Sequence, residues 1–564
     1  MPILLILLAA PALSQAPEPT AAAAKPLFLE DQARALPGVT MTCGSKAKDY
    51  ILEVNGGGLA LADLDNDGDP DLVVVDGSTL ERIAKGEPGF PPRVFFNDGR
   101  GVFSPAGPAW AMSGGRWGMG IAAGDVDGDG FVDLVITQWG PTRLFLNQAG
   151  KGLKEASEKA GFVGSRWGTS AALLDIGRDG FLDLAVVNYL AFDPLLVAKP
   201  GGECTWKSYP VMCGPEGLTP QHDQLYKGHG DGTFEDATQA AHFVPTEAGF
   251  GLGAMTVDYD GDGDTDLYVA NDSTPNHLWE NQGDGTFVER GFARGVSHDA
   301  NGKEQASMGI ACGDLDSDGR EDLLVTNFSG EAISLYAAKG PKGFRERSSA
   351  TGLAGPSLRM LSWGTGFADL DLDGDLDLFV FNGHVYPQAD LPGTDTTYAQ
   401  ADQLFRNDGA GHFSVETLSD SKPRVSRAST FGDIDGDGDV DIVALELNGE
   451  VRVLRNQLEA MRAPADASSE PTRALHWTGV RLRARGKNTQ AIGARVRVDW
   501  EGGTRWCEVR TSGGYQSAVP AEIHVGLGSA ARVKAIVVRW PDGTESSLQD
   551  VAADRVLTIE EKAP

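Results

Sequence analysis

The stretch Gly251-Leu-Gly-Ala-Met-Thr-Val-Asp258-Tyr-Asp-Gly-Asp-Gly-Asp-Thr-Asp266-Leu-Tyr-Val-Ala-Asn271 holds the plan of most of this 564-residue chain. A run of small and apolar residues leads into a loop with carboxylates at positions one, three, five and nine, namely Asp258, Asp260, Asp262 and Asp266, around Gly263 at position six. Such a loop wraps several oxygens around a hard cation such as Ca²⁺, and the glycine permits the sharp turn this needs. The next run, Leu267-Tyr-Val-Ala, is short, apolar and bounded by turn residues, as buried strands are. The pattern DxDxDGxxD stands complete six times, starting at Asp63, Asp125, Asp258, Asp314, Asp369 and Asp433, and a damaged seventh copy starts at Asp175. Recurrence at intervals of roughly 50 to 80 residues marks a repeat architecture.

After the fourth loop come Leu278-Trp-Glu-Asn281 and Gly283-Asp-Gly-Thr-Phe287, so the unit reads strand, metal loop, strand, turn, strand, glycine turn, strand. Comparable runs follow other loops, at Leu72-Val-Val-Val75, Leu134-Val-Ile-Thr137 and Leu323-Leu-Val-Thr326, and helical periodicity is weak. Four strands per unit and seven units predict an all-β fold, a seven-bladed β-propeller with Ca-binding loops over residues 25–456, carrying an insertion at about 189–222. Small residues in Gly118-Met-Gly-Ile-Ala-Ala123 and Gly364-Thr-Gly-Phe-Ala368 suit innermost strands crowded at the axis. Trp117, Trp167 and Trp363 recur just before glycine at one blade position and read as packing residues. The last loop is followed by Val451-Arg-Val-Leu-Arg-Asn456 and no closing strand, whereas Pro26-Leu-Phe-Leu-Glu30 is an unpaired strand at the other end. The amino-terminal strand is expected to complete the final blade and so remove an exposed edge.

The candidate metal ligands are Asp63, Asp65, Asp67, Asp69 and Asp71; Asp125, Asp127, Asp129 and Asp133; Asp258, Asp260, Asp262, Asp264 and Asp266; Asp314, Asp316, Asp318 and Asp322; Asp369, Asp371, Asp373, Asp375 and Asp377; and Asp433, Asp435, Asp437, Asp439 and Asp441. Val74 and Ile136 stand where an EF-hand loop needs its twelfth-position Glu, and the flanks are strands, so the loops are not EF-hands. Ca²⁺ at about six sites fits better than Mg²⁺, which prefers a rigid six-coordinate shell with retained waters. In the copy at Asp175, Gly177 removes a carboxylate and Arg178 adds a positive charge beside Asp179, so that site is expected to be weak or empty.

Charge is unevenly shared. Residues 1–456 hold 33 Lys+Arg against 67 Asp+Glu, and residues 457–564 hold 15 against 13, so nearly all of the net charge of −32 lies in the repeats. A surface this acidic disfavours nucleic acid and anionic membranes as partners. Met1–Ala12 is apolar and of signal-peptide length, too short to span a bilayer, and Ala16–Ala24 reads as a spacer, so residues 1–24 are expected to direct export to the periplasm, the cell surface or the medium. No later stretch looks like a membrane span. Cys204 and Cys213 stand nine residues apart inside the insertion and suit a loop-stapling disulfide in an oxidising compartment; a zinc site would need two further ligands. Cys43, Cys312 and Cys507 stand alone, and Cys312, in an apolar run, is expected to be buried and inert.

These blades resemble FG-GAP/VCBS repeats, through the Asp loops, Asn271-Asp272 and Phe381-Asn-Gly-His-Val-Tyr-Pro387. The tail is similar to the ASPIC/UnbV domain at Ile492-Gly-Ala-Arg-Val496, Gly513-Gly-Tyr-Gln-Ser517, His524-Val-Gly-Leu-Gly528 and Trp540-Pro-Asp-Gly543, a pairing found in the cartilage acidic protein family and its bacterial relatives. The insertion, with Cys204 followed by Cys213-Gly-Pro, also looks like the family's. The resemblance implies a secreted, calcium-binding, integrin α-like protein of extracellular interaction or adhesion.

Residues 457–475 read as a linker and 476–564 as a small β domain, because Val480-Arg-Leu-Arg-Ala-Arg485, Arg495-Val-Arg-Val498 and Ile536-Val-Val-Arg-Trp540 alternate with period two. Arg481, Arg483, Arg485, Arg495 and Arg497 then form basic faces that either dock on the acidic repeats or bind an acidic glycan. Outside the loops, Asn382, His384 and Tyr386 form the most conspicuous polar cluster, read as a contact between blades rather than a catalytic group. No GxSxG, HExxH or P-loop pattern stands in a suitable context. Two functions compete: a calcium-stiffened binding protein for an extracellular protein or polysaccharide, and a calcium-dependent polysaccharide lyase or other sugar-modifying enzyme, which a pocket gathering His384 with titratable residues of several blades would favour.

Overall fold

A computed structural model of the chain describes residues 27–194, 204–419, 422–458 and 475–562. The proposed signal peptide and spacer, and nearly all of the expected linker, lie outside the described residues. The small apolar runs before the loops form the first strands, Leu59–Ala62, Gly118–Gly124, Arg166–Leu174, Gly251–Val257, Ile310–Gly313, Ser362–Ala368 and Ser426–Gly432. Each pairs antiparallel with the β-branched run after its loop, which pairs with a third strand. In the fourth unit the order is Gly251–Val257, Asp266–Asn271, His277–Asn281, Phe287–Glu289. Among the described residues four repeats form separate four-stranded sheets and the others join larger sheets with the same antiparallel pairing, a β-propeller-type fold.

The seventh unit draws its fourth strand from the other end of the chain: Phe28, Leu29 and Glu30 pair with Asn456, Arg455 and Leu454, as the unpaired terminal strand predicts. The first strands also touch in sequence and return from the seventh to the first, which closes a ring. Glycine is required where they crowd. An added Cβ at Gly309 would lie 2.0 Å from the Trp363 carbonyl, and one at Gly253 would lie 2.4 Å from that of Met308. Trp117, Trp167 and Trp363 are buried in the core at one end of this ring.

The insertion leaves the third unit between Asp183–Asn188 and Gln224–Gly228. It carries a short hairpin, Thr205–Trp206 with Tyr209–Pro210, inside the Cys204–Cys213 disulfide, whose Cα atoms are 5.3 Å apart. The tail forms two sheets, one of Glu522–Gly528, His476–Arg483 and Arg555–Glu560, the other of Gly503–Glu508, Arg495–Trp500, Arg532–Arg539 and Glu545–Ala552. Period-two alternation turns Val480, Val496, Val498, Val525, Ile536 and Val538 into a common core.

Candidate metal centres

Each Asp loop lies between the first and second strands of its unit, and its first carboxylate organises it. Asp63 accepts from the N–H groups of Asp67 (3.1 Å) and Gly68 (3.0 Å), and Asp258 from those of Gly261 (2.8 Å) and Gly263 (3.1 Å). The same contact ties Gly130 to Asp125, Gly319 to Asp314, Gly374 to Asp369 and Gly438 to Asp433. The position-six glycines have φ between 81° and 102°, where a side chain is strained. Position four is also left-handed, although Asn66, Arg178, Ser317 and Leu372 stand there, a cost that the carboxylate hydrogen bonds offset.

The position-nine aspartates are buried and hold three pieces of backbone together. Asp71 accepts from the N–H of Leu64 (3.0 Å) in its loop and of Asn97 (3.0 Å) in the third strand, and Asp133 likewise from Val126 (2.9 Å) and Asn147 (2.7 Å). Burial pushes both carboxyls up to about 8, and those of Asp322 and Asp377 up to about 7. A cation beside them favours the ionised form and reverses that shift.

Those third-strand asparagines escaped the sequence reading. The Nδ2 of Asn147 donates to the Val132 carbonyl of its own unit (3.1 Å) and to the Leu64 carbonyl of the preceding unit's loop (2.8 Å). Asn97, Asn281, Asn407 and Asn456 do the same towards Ile434, Ile176, Leu315 and Leu370, in every case the second residue of the preceding loop. Gly228 and Ala338 occupy this place in the third and fifth units. The signal available was Asn recurring at one place in the third strands, at Asn97-Asp-Gly99, Asn281-Gln-Gly283 and Asn407-Asp-Gly409 among others.

Among the described residues six groups of three or more acidic or other ligating side chains bring one atom each within 4.8 Å of one another, among them Asp63, Asp65 and Asp71; Asp125, Asp127 and Asp133; Asp258, Asp260 and Asp262; Asp314, Asp316 and Asp318; Asp369, Asp371 and Asp373. The donor set of these five is all carboxylate oxygen, the chemistry of a hard cation. Its fit to a cation is borne by orphaned oxygens. Asp369 Oδ1, Asp435 Oδ1 and Asp441 Oδ2 are buried without a hydrogen-bond partner among the described residues, a costly state for an anion. The loops are not equal. Arg406, on the third strand of the sixth unit, bridges Asp371 (3.0 Å) and Asp377 (2.7 Å), and Arg455 pairs with Asp435. Arg320 pairs with Asp318. Among the described residues, no ion pair engages the acidic groups of the first two loops. In the damaged loop, Arg178 points away from Asp179 and reaches Asp264 of the fourth loop (2.8 Å), while Lys227 pairs with Asp179 (3.2 Å). The charge expected beside Asp179 is thus a lysine.

The FG-GAP-like repeat model matches residues 63–136, 125–186, 217–269, 258–325 and 314–380. The chain belongs to the FG-GAP-like repeat family. Residues 484–564 match the ASPIC and UnbV model. Among curated proteins, this FG-GAP chain is similar to cartilage acidic protein 1 of Mus musculus, at 27% identity over 52% of this chain and 42% of that one. It is 26% identical to the Homo sapiens protein over 52% of this chain and 41% of that one. It therefore spans about two-fifths of the length of the curated relatives it matches. Similar solved structures include an Agrocybe aegerita lectin that recognises non-reducing terminal N-acetylglucosamine (16% identity, 68% of this chain and 83% of that one, TM-score 0.36). Saccharomyces cerevisiae Sqt1 matches at 11% identity over 74% of this chain and 99% of that one, with a TM-score of 0.37.

The ASPIC and UnbV tail sits on the loop-bearing face of the FG-GAP repeats. Of the five arginines singled out by the sequence, Arg481 donates to the Gly68 carbonyl (2.6 Å), and Arg495 to the Gly319 carbonyl (3.0 Å) while lying 3.4 Å from Asp258. Arg497 instead pairs with Asp499 and stacks on Trp506. Arg505, which no sequence signal marked, donates to the carbonyls of Asp314 (2.6 Å) and Gly374. Between the two parts lies a cavity of about 710 Å³ lined by Asp63, Asp125, Asp369, Asp433, Arg481 and Arg510 among others.

His384 lies at the opposite end and is wholly buried. Its Nε2 contacts Ser329 Oγ (3.0 Å) of the fifth unit, its Nδ1 accepts from the Tyr386 N–H (3.0 Å), and Trp206 of the insertion covers its ring at 4.7 Å. It is a contact between units and does not line the cavity between the repeats and the tail. Burial drops its imidazole to about 3. Asn382, equally buried, donates to the Ala401 carbonyl (2.8 Å). Cys312 departs from the expectation of full burial: it is half-buried, with Sγ 3.4 Å from Glu321 of the loop edge.

Proposed function

We propose that this protein is an exported, calcium-binding, seven-bladed propeller that presents a rigid surface to an extracellular protein or polysaccharide. The observation that carries the reading is the convergence of three carboxylate oxygens in loop after loop, with buried carboxylate oxygens that find no hydrogen-bond partner among the described residues. Asp63, Asp65 and Asp71 in the first loop, and Asp125, Asp127 and Asp133 in the second, are the best prepared ligands, since no ion pair among the described residues engages them. When bound, calcium would neutralise the clustered carboxylates and draw their oxygens into one coordination shell. The residues around it do the rest: position-one carboxylates fold the loops, position-nine carboxylates tie them to the sheet, and asparagines link five of the loops to the next unit. Export is supported by the Cys204–Cys213 disulfide and by likeness to cartilage acidic protein 1. No helix of the described residues is long and apolar enough to cross a membrane.

The test is retention of the mature protein on a panel of acidic and neutral polysaccharides and of extracellular proteins, in calcium and in chelator, with analysis for shortened products. Calcium-dependent retention without products supports the reading. Release of shortened polysaccharide would replace it with the lyase.

A further inference from the structure

The tail engages the same backbone atom in loop after loop. The carbonyl of the position-six glycine accepts from Arg481 at Gly68 (2.6 Å), from the N–H of Asn488 at Gly180 (2.8 Å), from Arg495 at Gly319 (3.0 Å), from Arg505 at Gly374, and from Nε2–H of His524 at Gly438 (2.9 Å). The donors come from four different strands and one turn of the tail, so the match belongs to the domain as a whole. Each of these glycines also gives its own N–H to the position-one carboxylate of its loop, as Gly374 does to Asp369 (3.0 Å) and Gly438 to Asp433 (3.0 Å). The glycine whose carbonyl meets the tail is therefore tied, through its own N–H, to the carboxylate that would face the cation.

At the centre of this ring the tail enters the axis of the propeller. Residues 512–518 run between the first strands. Gly514 accepts from the N–H of Ile310 (3.0 Å), Gln516 from that of Ile121 (3.2 Å), and Ala518 lies in parallel register with Ala60. Tyr515 is fully buried, its ring edge-on to Trp363 at 5.0 Å. Backbone N–H groups of Ile121 and Ile310 that face the axis are thus satisfied by the chain itself.

We infer that the tail is a plug whose docking is coupled to cation occupancy of the Asp loops: calcium holds the position-six carbonyls in the register the tail requires, and its removal releases residues 512–518 from the axis. This rests on the reading of the loops as calcium sites. The basic tail does not simply follow loop charge, because its contacts go mainly to carbonyl oxygens. Among the described residues, it makes a direct ion pair or hydrogen bond to the position-one carboxylates of Asp258 and Asp125, through Arg495 and Thr489. Without a cation the clustered carboxylates repel one another and the carbonyl ring loses its shape.

Hydrogen exchange of the full mature chain, with and without chelator, tests this, with bound calcium measured in the same samples. The expected result is that chelation speeds exchange of the peptide spanning 512–518 about tenfold or more, while the second-strand peptide 133–140 stays protected. Arg505→Gln is expected to speed exchange at 512–518 with calcium present and, because docking and occupancy are reciprocally coupled, to weaken calcium binding as well. Calcium that binds and is removed with no change at 512–518 overturns the coupling and leaves the calcium reading intact. Equal loss of protection at 133–140 also overturns it, since the propeller then melts as one body. Absence of bound calcium removes both readings.

Discussion

Replacing Asn147 with alanine tests whether the propeller is a ring of loops tied unit to unit. The side chain is 1% exposed, its Nδ2 donates to Leu64 (2.8 Å) and Val132 (3.1 Å), and its Oδ1 accepts from the Gly150 N–H (2.9 Å). Alanine removes three hydrogen bonds and strands two carbonyls and one N–H. At about 1 kcal/mol for each group left without a partner, the loss is about 3 kcal/mol. The neighbouring Gln148 is exposed, and its amide makes bonds of 3.3 and 3.4 Å to local carbonyls, so Gln148→Ala is expected to stay within about 0.5 kcal/mol. Chemical denaturation in saturating calcium, followed by tryptophan fluorescence, reads the difference. Since Leu64 follows Asp63, the variant also weakens calcium binding at the first loop, not at the fourth. An Asn147→Ala protein as stable as Gln148→Ala would refute the linkage between units.

Three further outcomes follow from the same geometry. Tyr515→Phe removes a buried hydroxyl that has no partner among the described residues and is expected to leave stability unchanged or raised, whereas Tyr515→Ala costs about 3–5 kcal/mol; thermal melts of the two variants check this, and a large loss in Tyr515→Phe would show a hydrogen bond there. Asp127→Ala should remove one calcium per chain in direct metal analysis, and Asp179→Ala none, because Lys227 already holds that carboxylate. In chelator, stability should fall as pH rises: the folded carboxyls of Asp71 and Asp133 sit at about 8 and that of Asp183 at about 7, far above their unfolded value, so the folded state holds the extra protons between pH 4 and 8 and loses that advantage as it ionises. A metal-free melt that rises with pH would contradict the assignment.

Much of this was legible because it is local or periodic. The DxDxDGxxD spacing gave the loops, the flanking runs gave four strands per unit, and the missing last strand pointed to residues 26–30 as its replacement. The damaged loop was visible at Gly177, but the partner of Asp179 was not, since Lys227 arrives from the third strand of the same unit. Contacts between distant segments were illegible for the same reason. Nothing around Arg505 says that it meets Asp314 and Gly374, and nothing around Arg406 says that it will share Asp371 and Asp377 with a metal loop. Leu372 with φ of 59° is a conformation its side chain disfavours, imposed by the hydrogen bonds of the loop. The alternation of the tail predicted its sheets, while the passage of Tyr515 into the axis depends on the shape of a ring built by residues far along the chain.

The most direct measurement of the central claim is calcium stoichiometry on the dialysed protein, paired with a melt before and after chelation. The account predicts about six ions per chain, one for each intact loop, and a substantial fall in melting temperature when they are removed, because ions bound by the folded state alone stabilise it by linkage. Protein that retains no calcium at millimolar concentration, or that melts unchanged once its calcium is shown to be gone, would contradict it.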